Sequence, residues 1–329
     1  MSDGRHLMVL IADHFEPLNA ALVREWCTRY AEVAATLRDD DGVSLRWTWF
    51  YDGEDPEALD ILADAVRRGL GEVGLHLHHR YDTAESLREK IERRKKLYAQ
   101  HGALMAVGDP PKLKYGFVHG KWALANSRGP QFCGVNDELR ILHETGCYAD
   151  FTFPAWGRMQ PRMTNVIYYA RSDPSRPKSY DTGVPVRVGG APTGDLMIFP
   201  GPGRLSGIPD GLARWPMLRV PLERVYAPPA LSMFLRVRPW KVRRWLRAGV
   251  CVQGRPEWVF VKLHCHGVRA KTMEALFGGG LQEMAATFAS QARAGGWQLH
   301  YVTAREAYNI VRAAEAGRTG NPHSFRRGS

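Results

Sequence analysis

The sequence predicts an α/β fold of the barrel type, and three observations lead to that prediction. Short apolar runs of strand type alternate with amphipathic helical patterns along most of the 329 residues, and the alternation amounts to about seven βα units. A loop-rich segment, residues 154–256, interrupts it before the sixth predicted strand. Histidine and aspartate side chains gather where the predicted strands end. Because seven or eight βα units close naturally into a ring, we expect a deformed barrel of about seven units with a long insertion before the sixth strand.

The elements follow from the period of the apolar residues. Strand-like runs occur at 6–13, 44–51, 72–78, 114–120, 147–153, 258–264 and 297–302. Helical patterns occur at 17–37, 55–66, 83–94, 136–145, 281–293 and 304–316. Pro17, Asp55 and Thr83 are residue types that often begin helices, which supports the first three helix starts.

These elements predict one catalytic barrel domain over residues 1–316. The insertion at 154–256 is dense in proline and glycine and shows only short strand-like pieces. The last residues, 317–329, are basic and lack an apolar pattern. We therefore expect them to be a disordered tail.

The charge of the chain favours anionic partners. The formal net charge is +11, from 45 Lys and Arg against 34 Asp and Glu, which suits an acidic glycan, a phosphate-linked lipid carrier or a membrane surface. Because no recognisable nucleic-acid motif accompanies the charge, we expect no specific nucleic-acid partner. Residues 236–247 alternate Trp and Leu with Arg and Lys, a pattern suited to peripheral membrane contact. A solvated helix face is the alternative.

The cysteines and the N-terminal segment favour a reducing compartment. The cysteines are odd in number and form no CxxC pair, so we expect no disulfide framework. The apolar run at 7–12 is too short for a secretion signal. No stretch reaches the roughly 18 apolar residues that span a bilayer. We therefore expect a cytoplasmic protein.

The candidate chemistry lies at the predicted strand ends. The histidines in these segments are His14, His76, His78, His79, His119, His264 and His266. Asp13 and Asp150 lie at the ends of the first and fifth strands. Because the carboxyl ends of barrel strands converge on one mouth, we expect these side chains to form one site.

The spacing of these residues predicts a divalent metal, and imidazole with carboxylate suits zinc. His76 and His78 are two apart on a strand, so they point the same way. Asp13 or His14 from a neighbouring strand can complete three protein ligands and leave a position for water. A metal ion lowers the pKa of the water bound to it to about 7. A carboxylate can then act as base and a histidine as acid.

Five segments, taken in order, resemble the motifs of a known family. The segments are Asp13-His14, Glu72–His76, Phe117–Trp122, Asp150–Trp156 and Val261–His264. They are similar to the motifs of the polysaccharide deacetylases, which are family 4 carbohydrate esterases with the NodB-homology fold. The resemblance spans about residues 5–152 and 256–316. It implies the deformed barrel of the glycoside hydrolase and deacetylase type.

The resemblance also implies roles for individual residues. The implied metal ligands are His14, His76 and either His78 or His79. The implied catalytic residues are Asp13 as base, His264 as general acid, and Asp150. We expect substrate contacts from His119, Trp122, Trp156 and His266.

The function that these features predict is metal-dependent removal of an N-acyl group, an acetyl group in the first instance, from an amino sugar. The substrate would be a surface polysaccharide or its lipid-linked precursor. Two alternatives keep the barrel. One is a glycoside-cleaving enzyme, which needs a spaced pair of carboxylates, and the other is a glycan-binding protein without deacetylase activity.

Overall fold

The computed structural model describes residues 4–108, 111–155, 157–203, 229–232 and 236–328. Within them the chain is a mixed α/β fold built on one sheet of eleven strands, with a separate two-stranded sheet. The strands are β1 (Arg5–Phe15), β2 (Trp47–Tyr51), β3 (Gly71–Leu77), β4 (Ala106–Val107), β5 (Lys112–Leu113), β6 (Tyr115–His119), β7 (Cys147–Asp150), β8 (Tyr168–Ala170), β9 (Gly183–Pro185), β10 (Leu196–Ile198), β11 (Ala230–Leu231), β12 (Trp258–Cys265) and β13 (Trp297–Tyr301). The helices are α1 (Ala20–Ala34), α2 (Pro56–Arg67), α3 (Ala84–Gln100), α4 (Glu138–Glu144), α5 (Pro239–Ala248), α6 (Ala270–Ala275), α7 (Leu281–Ala294) and α8 (Ala304–Glu315).

Side-chain caps fix where several helices begin. Asn19 accepts a hydrogen bond from the backbone N–H of Leu22, so α1 begins at Ala20 rather than at the predicted Pro17. Asp55 caps α2 as predicted. Thr83 caps α3 and exchanges hydrogen bonds with Ser86.

The strand order brings both ends of the chain to β1. The order is β11-β12-β1-β2-β3-β6-β7-β10-β8-β9, and β13 also pairs with β1. One edge of β1 pairs with β12 over residues 6–13. Its other edge is shared, because residues 5–9 pair with β13 and residues 12–15 pair with β2. All three partners run parallel to β1, so their carboxyl ends lie at the same edge of the sheet.

Alternate residues of β1 pack into two different apolar layers. The even-numbered residues from Met8 to Ala12 lie in a buried cluster with Ile310 of α8. The odd-numbered residues from Leu7 to Ile11 lie in a second cluster with Trp26 of α1. We call these two sides of the sheet the α8 face and the α1 face. Side chains that follow in the same alternation keep these faces.

The prediction of an α/β fold with a large parallel sheet is confirmed, and its details differ. The sheet has eleven strands rather than about seven. Only the pairs β8–β10 and β8–β9 are antiparallel within it. Across the described ranges the strand path ends at β11 and β9, and no pairing joins these two ends. The pairings therefore describe an open path and do not show a closed barrel.

The segment 154–256 contributes to the main sheet. Its strand β10 pairs in parallel with β7, where Ile198 lies opposite Asp150, and β11 pairs in parallel with β12. The description of 154–256 as a loop-rich insertion is therefore incomplete. Strands of two or three residues carry no period that the sequence could reveal.

Residues 317–328 pack against the fold. Pro322–Phe325 form a short 3-10 helix that Asn321 caps. The side chain of Arg326 is buried and donates hydrogen bonds to Asp39 Oδ2 at 2.8 Å and to the carbonyl of Tyr301 at 2.5 Å. These contacts correct the prediction of a disordered tail. The basic composition that suggested disorder includes an arginine with a buried carboxylate partner.

The basic segment 236–247 largely coincides with α5. Val242 and Trp245 are buried, and Trp245 stacks on Phe288 of α7 with ring centres 6.0 Å apart. Arg236 and Arg238 both donate to Glu283. Of the helices that the structure describes, none has the length and apolar character needed to cross a membrane.

Candidate functional site

Parallel strands bring four of the predicted site histidines together at the carboxyl edge of the sheet. His14 lies near the end of β1, His76 near the end of β3, and His264 near the end of β12, with His266 just beyond. The ring centre of His14 lies 5.1 Å from that of His76, 5.0 Å from that of His266 and 6.1 Å from that of His264. We call these four residues the histidine cluster. The pairing of β1 with β12 explains part of this arrangement. Ala12 lies opposite His264, and His14, two residues later on β1, points to the same face of the sheet as Ala12.

Three potential ligand atoms form a triangle beside this cluster. Glu16 Oε1, His76 Nε2 and His78 Nε2 lie 3.1 Å from one another. Ligand atoms that bind zinc at about 2.0–2.2 Å with tetrahedral angles lie about 3.3–3.6 Å apart, and octahedral angles bring them to about 3 Å. The spacing and chemistry of the triangle therefore fit a divalent ion. His76 is buried while the side chains of Glu16 and His78 are partly exposed, so the triangle has an open side.

Backbone groups orient the two histidines of the triangle. His76 Nδ1 lies 2.8 Å from the carbonyl oxygen of Val118. Because a carbonyl only accepts, Nδ1 carries the hydrogen and the lone pair of Nε2 faces the triangle. The ring of His78 lies against Gly120, where a Cβ atom would come within 2.0 Å of His78 Cδ2. Glycine at position 120 is therefore what allows His78 to reach His76.

The protonation states of this region suit metal binding. Burial works against the charged form of Glu16, but its close polar contacts with His76 and His78 hold its pKa well below the usual range. Burial lowers the pKa of His14 well below its usual value. Burial and the nearby Arg269 lower the pKa of His266 to about 4. At neutral pH the region therefore offers an ionised carboxylate at Glu16 and neutral imidazoles at His14 and His266, which are the forms that coordinate a cation.

Asp13 does not join the histidine cluster. It follows the alternation of Leu7 to Ile11 and therefore lies on the α1 face. Its Oδ1 accepts a hydrogen bond from the backbone N–H of Gly267 at 2.7 Å, and its Oδ2 accepts one from Trp47 Nε1 at 3.0 Å. Burial raises its pKa to about 6. The implied role of Asp13 as catalytic base is not supported by this placement.

His79 and His119 also lie away from the histidine cluster. Both His78 and His79 follow the end of β3 at Leu77, but only His78 lies against His76. His79 Nε2 lies 3.0 Å from Glu138 Oε1 on α4, and its ring centre is 4.5 Å from that of His119. With Cys133 these residues form a second, fully buried group that could hold a metal ion. Of the two alternatives for the second histidine ligand, the structure places His78 next to His76.

Asp150 belongs to a buried polar region that the sequence indicated only in part. Its Oδ2 accepts a hydrogen bond from Thr152 Oγ1 at 2.6 Å, and burial raises its pKa to about 7. Lys262 interacts with it electrostatically, and burial lowers the pKa of that amine to about 7. Lys262 Nζ donates to the carbonyl of Phe151 at 2.5 Å. Lys262 precedes His264 by two residues and so shares its face of β12.

The predicted substrate contacts have different positions. His266 lies in the histidine cluster, and Trp122 is half-buried against the core. His119 is fully buried beside His79. Trp156 lies outside the described residues. A groove of about 570 Å³ begins at Glu16 and is lined by Leu18, Leu22, Glu25, Arg29, Val268, Arg269, Ala270, Met273 and Glu274.

The sequence indicated where in the fold the site lies better than it indicated which residues form the site. Glu16 was visible as the last polar residue of the Asp13-His14-Phe15-Glu16 run, and it lies on the same side of the chain as His14 by alternation. Gly120 gave no signal, because its importance depends on the close approach of His78. Lys262 reads from the sequence as one polar residue within an apolar strand.

Comparisons with known proteins give only distant similarities. No protein-family model matches the chain, and no curated protein matches it. A 4-alpha-glucanotransferase structure from Thermococcus litoralis has 13% identity and a TM-score of 0.46, and the alignment covers 90% of this chain but only 39% of the other. A candidate polysaccharide deacetylase from Mycobacterium smegmatis has 12% identity and a TM-score of 0.44, with 95% and 92% covered. A GH57 branching enzyme from Thermococcus kodakaraensis has 10% identity and a TM-score of 0.39, with 90% and 70% covered.

Proposed function

We propose that the protein is a metal-dependent hydrolase that removes an N-acyl group, in the first instance acetyl, from an amino sugar. The observation that carries the proposal is the triangle of Glu16, His76 and His78, whose ligand atoms are 3.1 Å apart. A closed, fully buried set would suit a structural ion, whereas an open side suits a reactant. The exposed side chains of Glu16 and His78 leave such a side.

The residues of the triangle would be the ligands of the proposed ion. Glu16, His76 and His78 would hold the ion, and His14 is near enough to His76 to add a fourth ligand. A divalent ion bound there would acidify a water molecule and polarise an acyl carbonyl. Zinc suits this mixture of imidazole and carboxylate.

The remaining histidines of the cluster would move protons. His266, whose ring centre lies 5.0 Å from that of His14, would accept a proton from the attacking water. His264, which lies across His14 from His76, would donate a proton to the leaving nitrogen. The amide C–N bond breaks, and the products are a free amine and a carboxylate.

The groove beside Glu16 supports a substrate larger than a single acyl group. Its lining combines Leu22 and Met273 with Arg29 and Arg269. Apolar and cationic groups together suit an amino-sugar glycan that is acidic or linked to a phosphate-bearing lipid. We keep that substrate class, and a cytoplasmic site of action, as part of the proposal.

The first experiment replaces His76 by alanine. Because His76 is buried and supplies one corner of the triangle, we expect loss of the ion bound there and a fall in deacylation of more than about 100-fold, since even changes behind a ligand cost about 10–100-fold. Metal content by mass spectrometry and acetate released from acetylated amino-sugar oligomers are the measurements. The exposed His143→Ala variant is the matched control.

Product analysis separates the proposal from its alternatives. Acetate with an intact sugar chain supports deacylation, while shortened oligomers point to cleavage of the glycosidic bond. Full metal content and full activity in His76→Ala would refute the proposed site. Binding of oligomers with neither product would indicate a glycan-binding protein.

A further inference from the structure

We propose that His79, His119, Cys133 and Glu138 form a second metal site, distinct from the triangle, that binds zinc as a structural ion. We call these four residues the closed cluster. They come from the segment that follows β3, the end of β6, a loop and the first turn of α4. All four are buried, and one ligand atom from each lies within 4.8 Å of the others.

Of three distances between ligand atoms of the closed cluster, two match tetrahedral zinc and the third is slightly shorter. Glu138 Oε1 lies 3.0 Å from His79 Nε2 and 3.5 Å from His119 Nε2. Cys133 Sγ lies 3.5 Å from Glu138 Oε2. With zinc–nitrogen and zinc–oxygen bonds of about 2.0–2.2 Å and zinc–sulfur bonds of about 2.3 Å, tetrahedral ligand atoms lie about 3.3–3.6 Å apart.

The ring of His119 provides an independent observation. Its Nδ1 donates to the carbonyl of Gly120 at 2.6 Å, so Nε2 carries a lone pair rather than a hydrogen. That Nε2 is buried and has no hydrogen-bond partner within the described ranges. It lies 3.5 Å from Glu138 Oε1. A lone pair that faces a carboxylate oxygen inside a protein is unfavourable unless a cation lies between the two atoms.

The proposed ligands make hydrogen bonds to further polar groups of the kind found around metal sites in proteins. His79 Nδ1 lies 3.0 Å from Asp82 Oδ2, and Asp82 is in turn held by Lys90 and Ser86. A carboxylate behind a ligating histidine fixes its ring and raises its basicity. Cys133 Sγ accepts a hydrogen bond from the backbone N–H of Val135 at 3.4 Å and lies against Glu138 Oε2, so it faces the other ligands of the closed cluster.

The charges of such a site cancel. Two neutral imidazoles, one thiolate and one carboxylate would neutralise a doubly charged ion, which makes a buried site tolerable. Four protein ligands and no exposed side are the features of structural zinc sites. The triangle differs in both respects.

The closed cluster would stabilise the mouth of the proposed active site. His79 directly follows His78 of the triangle, and His119 lies between Val118, which orients His76, and Gly120, which supports His78. An ion that joins β3, β6 and α4 would therefore fix both strand ends from behind.

The experiment uses the full chain, purified without chelators under reducing conditions. We expect two zinc ions per chain. After exchange for cobalt, we expect a thiolate-to-cobalt charge-transfer band in the near ultraviolet. Cys133→Ser should lose this band and one equivalent of metal. Cys147→Ser, which changes another fully buried cysteine whose Sγ contacts Ala149, should keep both.

The outcomes separate this site from the proposed function. His76→Ala should lose the triangle ion and keep the charge-transfer band, whether or not the protein proves to be a deacetylase. X-ray absorption of the unchanged zinc protein does not depend on the folding of any variant, and should show about one sulfur for every two zinc ions. A zinc protein without a sulfur ligand, or a Cys133→Ser variant with full metal content and an unchanged cobalt spectrum, would overturn the proposal.

Discussion

Gly120 shows how one residue without a side chain can control the reach of a ligand. The space that a Cβ would occupy is filled by the ring of His78, at 2.0 Å from Cδ2. Because a Cβ atom at position 120 would overlap the imidazole of His78, that side chain must rotate away if Gly120 is replaced. The 3.1 Å distance between His78 Nε2 and His76 Nε2 would then be lost.

We therefore expect Gly120→Ala to weaken metal binding at the triangle by about 10–100-fold, as for other changes that disturb a ligand's orientation. Titration of zinc against a competing chelator measures the effect. Gly278→Ala is the matched control, because nothing lies within 4 Å of its Cβ position and its φ of −82° suits any residue. Equal affinities in the two variants would count against the role of Gly120.

For individual residues, the sequence predicts which two side chains share a face of a strand better than it predicts the position of one side chain alone. His76 and His78 follow from the two-residue period of a strand. The same period separates His14 from Asp13, which the family resemblance placed together in the site. The position of His79 could not be predicted, because it depends on contacts with Asp82 and with Glu138 of α4.

Among the elements, the C-terminal segment contains a buried ion pair with the rest of the fold. Arg326 and Asp39 are both buried, and Asp39 Oδ2 also accepts a hydrogen bond from the backbone N–H of Tyr301. Removing one partner of a buried pair leaves the other charge without compensation. The segment is therefore part of the folded domain.

We expect Arg326→Ala to lower the free energy of unfolding by about 3 kcal/mol. Urea unfolding followed by circular dichroism measures the change. Arg327→Ala removes a neighbouring exposed arginine and should change stability by less than about 0.5 kcal/mol. Similar values for the two variants would contradict the structural role of Arg326.

The helices and strands were predictable to different degrees. Long elements such as α1, β1 and β12 carry enough apolar residues for their period to appear in the sequence. The strands β8, β9 and β10 have three residues each, so their place in the sheet depends on their neighbours. Contact of 236–247 with a membrane stays a prediction, although Val242 and Trp245 are engaged in the core.

For the whole molecule, the sheet positions the site and its buried carboxyl groups affect its stability. The carboxyl ends of β1, β3 and β12 were predictable as the location of the chemistry, because they follow from the parallel arrangement. Asp13 lies behind them on the α1 face. Its pKa is raised by burial from 3.8 to about 6.

This shift predicts how stability changes with pH. Between about pH 4 and 6 the folded state holds a proton on Asp13 that the unfolded state has lost, so the free energy of unfolding falls as the pH rises. The contribution of Asp13 is fully present below its ordinary pKa of 3.8 and is lost through about pH 6. A difference of about two in the pKa of Asp13 between the folded and unfolded states corresponds to about 3 kcal/mol in the free energy of unfolding.

We expect the stability of the unchanged protein, relative to Asp13→Asn, to fall by up to about 3 kcal/mol between pH 4 and pH 7. Urea unfolding of both proteins across this range provides the test. Asp64→Asn, at an exposed position, should follow the unchanged protein. Parallel profiles for the unchanged protein and Asp13→Asn would show that burial does not shift this carboxyl.

The position of β1 has a consequence for biosynthesis. It is translated long before two of its partners, because residues 6–13 pair with 258–265 and residues 5–9 with 297–301. At about 5–20 residues per second, the ribosome needs roughly 15–60 s to supply these partners. During that time an apolar strand has an unpaired edge, which favours aggregation. A nascent chain therefore carries this unpaired strand edge until β12 and β13 have been synthesised.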